Sequence, residues 1–296
     1  MTKISILGCG WLGLPLAKAL LNKGFQVSGS TTTVERLSLL KNEGINPFLI
    51  DIPLFINEEN HDDHSFSDSM ISFLEGSETL VIDFPPKLRA NSANIIENSF
   101  LKKIITLIPF IENSTIKNVL FVSSTSVYGE GQLTVTELTL PQPETESGKQ
   151  LLESEQLLQS NSNFKTTTLR FGGLIGADRQ PGKYLAGREN LENPNAPVNL
   201  IHQEDCMGII LKIIENDQES SAHLVIAPGG MGKTYLTRSI YNSIQEKANS
   251  HQISILIEAE FIKKYIETNG IGQIKIQSLY DLYDLYICLL SHQCYI

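Results

Sequence analysis

Basic charge is scarce in this 296-residue chain: 23 Lys and Arg stand against 33 Asp and Glu, for a net charge of −10. That balance argues against a nucleic-acid or anionic-membrane surface and still leaves room for a local basic pocket around a phosphate. Cysteine is sparse too. Cys9, Cys206, Cys288 and Cys294 form no C-x-x-C pair, so neither a zinc site nor a disulfide framework is expected, and a reducing cytoplasm is the fitting compartment. No uninterrupted apolar run approaches the length of a membrane span, and no charged-then-apolar leader precedes the first strand. What remains is a globular composition, 41% hydrophobic and 19% charged, with length for one large domain or two modest ones.

The most informative stretch is Lys3 to Leu20. Ile4, Ile6 and Leu7 read as a buried strand, Gly8, Gly10 and Gly13 follow at the G-x-G-x-x-G spacing, and Leu16, Ala17, Ala19 and Leu20 continue as a helix. Gly8 suits the tight turn, Gly10 lets backbone approach a pyrophosphate, and Gly13 lets the helix pack closely on the strand. Cys9, Trp11 and Leu12 complete this cofactor-binding turn, and the helix N-terminus points free amides at the phosphates. The competing reading of the triplet is an ordinary strand-to-helix turn.

A second strand over Phe25 to Gly29 ends where dinucleotide folds choose their cofactor. An Asp or Glu there would favour NAD, whereas this chain has Ser30, Thr31, Thr32 and Thr33 with Arg36 a turn further on. Hydroxyls and a guanidinium suit a 2′-phosphate, so NADP is favoured and NAD remains open. The alternative is that Thr32 or Thr33 caps the next helix and Arg36 is solvated. Phe48 to Ile52 reads as a third strand carrying Asp51 toward the adenine edge. The polar run from Asn57 to Asp68, with His61, Asp62, Asp63 and His64, reads as a solvated loop rather than a metal site. Thr79 to Asp83 is a fourth strand, ended by Phe84 and Pro85 on the cofactor side. A helix is expected from about Asn94 to Ile108.

Asn118 to Gly129, NVLFVSSTSVYG, is a fifth strand with hydroxyls just past its C-terminal end, where doubly wound sheets place their ligand crevice. It resembles the catalytic-serine segment of the extended short-chain dehydrogenase/reductase family, whose members are sugar-nucleotide epimerases, dehydratases and related reductases. The resemblance makes Ser124 the hydroxyl that hydrogen-bonds a substrate oxygen and Tyr128 the tyrosine of the V-Y-G. That family then carries Tyr-x-x-x-Lys at the start of the next helix. In Thr145 to Glu155, TESGKQLLESE, the tyrosine position is Ser147, the lysine position is Leu151, and a family glutamate is kept as Glu155. Serine does not titrate near neutral pH and leucine brings no charge, so the dyad is missing. Lys149 is two residues from Ser147, about 200° around the helix, and reads as solvated.

That departure is itself a resemblance. G-C-G-W-L-G, S-S-T-S-V-Y-G, E-S-G-x-x-L-L, L-R-F-G-G-L-I-G, L-A-G-R-E-N and V-N-L-I-H-x-x-D-C together are similar to an atypical branch of NAD(P)-dependent epimerase/dehydratase-like proteins, over about residues 1–226. Thr168 to Gly176 supplies a sixth strand and glycine turn. Arg179, Lys183 and Arg188 either receive an anionic substrate or sit on a solvent-facing connection. His202 and Asp205 fix a loop or move a proton. Beyond residue 226 the likeness ends. Gly229 to Thr234, GGMGKT, resembles a P-loop with Ala227 where the strict pattern needs glycine, and too little chain follows for a whole NTPase sheet.

The expected fold is α/β, an NAD(P)-binding Rossmann-type doubly wound parallel sheet with its substrate loop over residues 1–226, and a smaller divergent region over 227–296. Three functions compete: an NADP(H)-dependent oxidoreductase or epimerase acting on a small molecule, a non-catalytic NADP-binding or redox-sensing protein, and a nucleotide-binding P-loop fusion. Ser124, Tyr128 and Ser147 are the catalytic candidates. A homodimer is the assembly considered, with neither nucleic acid nor membrane as a partner.

Overall fold

A computed structural model describes residues 2–56, 61–86, 99–129, 131–132, 135–136, 139–179 and 199–216. By packing, the chain divides into residues 1–196 with 201–226 and residues 197–200 with 227–296. Apart from Asn199 and Leu200, every described residue belongs to the first unit.

Its centre is β1 (Lys3–Leu7), where Ile4, Ile6 and Leu7 are buried as the apolar run predicts. Ser5 is buried there too and is satisfied, since its hydroxyl donates to the Phe73 carbonyl at 2.7 Å and shares a hydrogen bond with Ser77. The glycine turn leads into α1 (Gly13–Asn22), which buries Gly13, Leu16, Ala17 and Leu20, one face at the 3.6-residue period. Then come β2 (Gln26–Thr31), α2 (Glu35–Asn42), β3 (Asn46–Leu49), α3 (His61–Leu74), β4 (Ser77–Ile82), α4 (Ser99–Glu112) and β5 (Asn118–Ser124). A short 3-10 turn (Thr125–Val127) precedes α5 (Glu146–Gln159), β6 (Lys165–Phe171), β7 (Gly173–Ile175), β8 (Leu200–His202) and α6 (Gln203–Asn216).

Six strands form one parallel sheet in the order β3-β2-β1-β4-β5-β6, the doubly wound Rossmann order. The sheet's order reverses beside β1, so the crevice of the fold opens between the C-terminal ends of β1 and β4, which run in register up to Leu7 and Ile82. β3 is an edge strand, the place where Pro47 can be tolerated in a ladder. The main core joins α3 (Phe66, Met70, Phe73, Leu74) and α4 (Phe100, Ile104, Leu107, Ile111) to the sheet.

Several expected boundaries move. From His61 to Asp68 the polar run expected as a loop is the start of α3, because Phe66, Met70, Phe73 and Leu74 repeat at helical spacing and anchor it to the core; residues 57–60 lie outside the described residues. β3 ends at Leu49, so Asp51 lies beyond the strand rather than on it, exposed and paired with Lys103 of α4 at 3.3 Å. The expected sixth strand is two, β6 and β7. α4 runs on to Glu112, and residues 94–98 of the expected helix lie outside the described residues, as do Lys183, Arg188 and the P-loop-like stretch.

Candidate functional site

The three glycines are needed for different reasons. Gly8 has φ +110°, and a Cβ there would lie 2.2 Å from the carbonyl oxygen of Asp83, the residue after β4, so both conformation and packing demand glycine. A Cβ on Gly13 would lie 2.2 Å from the Gly8 carbonyl oxygen, which fixes the approach of helix to strand. Gly10 is different. A Cβ there would meet nothing within 4 Å, so no packing among the described residues excludes a side chain. The turn itself is tied down from β2, by Cys9 N–H donating to the Ser30 carbonyl at 2.8 Å and Gly8 N–H to the Ser30 hydroxyl at 2.9 Å. α1 starts at Leu12 with no side-chain cap of its own.

The residues expected to select the cofactor separate into two groups. Ser30 and Thr31 are buried and their hydroxyls serve the backbone, Ser30 holding Gly8 and Thr31 accepting from the Thr33 amide at 3.2 Å. Thr32 is exposed, and the Arg36 guanidinium reaches back to donate to the Cys9 carbonyl at 3.1 Å. Neither Thr32 nor Thr33 caps α2, whose N-cap position is Val34 with no side-chain cap. Arg36 is therefore no solvated bystander but a cation fixed on the glycine turn.

Trp11 joins this turn to the segment after β7. Its indole N–H donates to Asp178 at 2.7 Å, the Arg179 guanidinium lies 4.3 Å above its ring, and Gln203 of α6 donates to its carbonyl at 2.6 Å. Of the basic residues expected in the substrate loop, Arg179 is thus placed beside the turn. His202 accepts the Glu204 amide at 3.3 Å, a loop-fixing contact.

Asp83 was not singled out by the sequence. It follows β4 directly, its amide held by the Leu7 carbonyl at 2.9 Å and its carboxylate beside Gly13, whose amide favours the charged form. The residue is half-buried, and burial, the largest influence, pushes its carboxyl up to about 8, against which the Gly13 amide and the Arg179 charge pull it down. Burial and then the Asp83 charge push the neighbouring Cys9 thiol up to about 12, with the Ser30 contact and Arg36 acting the other way. Phe84 turns to the core and packs against Phe100, the rings tilted with centres 5.3 Å apart, while Pro85 is exposed.

At the end of β5, the Ser124 hydroxyl accepts the Ser126 amide at 3.2 Å and so caps the 3-10 turn. Thr145 caps α5 in the same way, through the Gly148 amide at 3.1 Å. A Cβ on Gly148 would lie 2.2 Å from the Ser126 carbonyl, so the first turn of α5, carrying half-buried Ser147, packs directly on the turn that Ser124 caps. Leu151 is buried and Lys149 exposed. Tyr128 faces another group: its hydroxyl accepts from Arg170 at 2.7 Å and donates to the Thr136 carbonyl at 3.3 Å, and the guanidinium lies 5.1 Å from its ring centre. Arg170 in turn forks onto Glu155, with Nε 3.0 Å from both carboxylate oxygens, and Ser123 also donates to that carboxylate. Desolvation works to lower the Arg170 pKa, but the Glu155 hydrogen bonds and charge, helped by Tyr128, leave it raised. Arg170, the one charge in the buried part of β6, among three threonines, Leu169 and Phe171, was the available signal for this cluster.

No protein-family model matches the chain. Protein YeeZ of Escherichia coli (strain K12) is 32% identical over 228 residues, covering 77% of this chain and 78% of that one. Among solved structures, a putative NAD-dependent epimerase/dehydratase from Methylobacillus flagellatus covers 98% of this chain and 99% of its own at 23% identity and a TM-score of 0.58. The UDP-glucuronic acid 4-epimerase of Bacillus cereus, in complex with UDP-glucuronic acid and NAD, covers 90% and 99% at 16% identity and a TM-score of 0.59.

Proposed function

This chain belongs to the extended short-chain dehydrogenase/reductase family, among its NAD(P)-dependent epimerase/dehydratase-like proteins, and from that premise we propose that it binds NADP(H) at the glycine turn and acts as an oxidoreductase or epimerase on a small molecule. The observation that carries the reading is Gly10. Gly8 and Gly13 are demanded by packing, whereas a Cβ on Gly10 would project into open space, where a pyrophosphate needs close backbone approach. The start of α1 carries no side-chain cap, and its dipole favours an anion at the same place. Preference for NADP over NAD rests on Arg36, fixed at the end of the turn, with exposed Thr32 beside it.

When bound, the nicotinamide supplies hydride chemistry. The chain's own part is to hold and orient: Ser124 offers a hydroxyl at the C-terminal end of β5, and half-buried Ser147 stands on the adjoining turn of α5. Tyr128 has its hydroxyl engaged by Arg170 and Thr136, so its role is to brace the β5 end rather than to move a proton. A second reading is favoured by Leu151. An apolar, buried side chain where the family carries its lysine fits a protein that keeps the dinucleotide cradle for binding or redox sensing without turnover.

Calorimetric titration with NADPH, NADH and ATP in parallel tests the cofactor reading. Binding of NADPH, weaker binding of NADH and none of ATP is the expected pattern, and Arg36→Ala narrows the NADPH preference by roughly tenfold or more, as loss of a charged hydrogen bond implies. Binding of neither dinucleotide overturns it. Hydride transfer from NADPH to a carbonyl panel separates the two readings, with Ser124→Ala crippling turnover if the chain is an enzyme.

A further inference from the structure

Asp83 occupies the place where the fold's crevice and the α1 amides meet. Its backbone packs against Gly8 and is held by the Leu7 carbonyl, and its carboxylate lies at the start of α1, with Oδ2 3.1 Å from where a Gly13 Cβ would stand. A dinucleotide pyrophosphate at this turn brings negative charge to the amides that Asp83 uses. Two anions at one desolvated helix start disfavour each other, and the cheaper relief is for the carboxyl to carry a proton.

We infer that Asp83 serves the cofactor site as a neutral carboxylic acid, so that binding of the dinucleotide is coupled to uptake of a proton by this side chain. The inference rests on the glycine turn being the dinucleotide site. The groups facing the carboxyl favour this outcome. The glycine turn contributes the buried Cys9 thiol, and α6 contributes the buried Cys206 thiol with Asp205 next to it; both thiols are pushed up by burial and in part by Asp83, and so stay neutral. α1 contributes the Gly13 amide. The segment after β7 contributes Arg179, the cation that opposes protonation, and it is engaged on the Trp11 ring with Asp178 alongside. Arg36 of α2 donates to the Cys9 carbonyl, and its charge acts on the Cys9 thiol. Arg179 and the Gly13 amide are the groups an arriving phosphate would claim, and with them goes the support for a charged Asp83. In the free protein burial has already brought the group to about 8, so the proton is taken up from solution mainly above that pH.

The test is calorimetry of NADPH and NADH binding to the whole chain in buffers of differing ionisation enthalpy, from about pH 6 to about pH 9. Proton uptake near zero at the acid end, rising toward one per chain at the alkaline end, is expected. The dissociation constant then weakens by up to about tenfold per pH unit above the carboxyl's pKa. Asp83→Asn, checked for native circular dichroism, should bind with neither the uptake nor the pH dependence. The 2′-phosphate of NADPH titrates near pH 6, is absent from NADH, and acts alike on both proteins, so it cancels in the comparison. Dinucleotide binding without proton uptake by the wild type overturns the inference while leaving the cofactor reading intact, and so does equal uptake by Asp83→Asn. Binding of neither dinucleotide at any pH defeats the cofactor reading and the inference with it.

Discussion

Removing Glu155 should destabilise the protein by several kcal/mol. The Glu155 side chain is 1% exposed and that of Arg170 10%, and the guanidinium is forked onto the carboxylate from β6 to α5. In Glu155→Ala the guanidinium keeps only the Tyr128 hydroxyl among these partners, and a buried cation left uncompensated costs about 3–5 kcal/mol. Ser123 also loses its acceptor, but that loss is not additive because it lies in the same network. A net loss of about 4 kcal/mol follows. The pair itself is a different matter, because taking two charges out of water offsets most of their attraction. Glu155→Leu combined with Arg170→Met should therefore recover most of the loss and come within about 2 kcal/mol of the wild type. The assay is urea unfolding followed by the fluorescence of Trp11, the single tryptophan, which reports the sheet unit. With a slope near 3 kcal/mol per molar urea, the single variant's midpoint falls by about 1 M. Single variants that lose under about 1 kcal/mol, or a double variant as unstable as the singles summed, would refute the reasoning.

Gly13→Ala should destabilise by roughly 1–3 kcal/mol, because its Cβ meets the Gly8 backbone oxygen rather than a movable side chain, whereas Gly10→Ala should leave stability within about 0.5 kcal/mol and weaken NADPH binding; equal stability losses would contradict this. The proton on Asp83 makes stability pH-dependent in a fixed direction. Since the folded state holds the carboxyl at about 8 against an ordinary 3.8, it binds the proton more tightly than the unfolded chain, and the stabilisation present at low pH is lost as pH rises through that window. Relative to Asp83→Asn, wild type should lose up to about 1.4 kcal/mol per pH unit there, measured by urea unfolding at several pH values. Cys9 and Cys206, buried and with raised pKa values, should resist iodoacetamide in the native protein at neutral pH and react on unfolding; mass spectrometry locates the label.

The strand, glycine turn and first helix were legible because their logic is local: the apolar run, the glycine spacing and the helical face lie within twenty residues. The start of α3 was obscured by polar residues around His64, although Phe66, Met70, Phe73 and Leu74 already carried the helical period. Ser30 and Thr31 read as cofactor hydroxyls, yet β2 is buried along almost its whole length, and in a central parallel strand no alternation tells which hydroxyls turn inward. Asp83 and the Glu155–Arg170 pair depend on which strands and helices become neighbours. Asp83 matters because β4 lies beside β1, a pairing made across more than seventy residues, and no local pattern announces it. Glu155 was noted as a kept family position, but its partner in β6 appears only once α5 packs on the sheet.

The measurement that bears most directly on the central claim uses the single tryptophan where it stands. Trp11 lies within the glycine turn, between Gly10 and Leu12, so a reduced dinucleotide bound there sits close enough to accept its excitation energy. Titration with NADPH should quench the indole emission and raise the dihydronicotinamide emission together, saturably, and Gly10→Ala should shift both curves to higher concentration. A folded protein whose indole emission is unchanged by NADPH and by NADH would contradict the claim that this turn is a dinucleotide site.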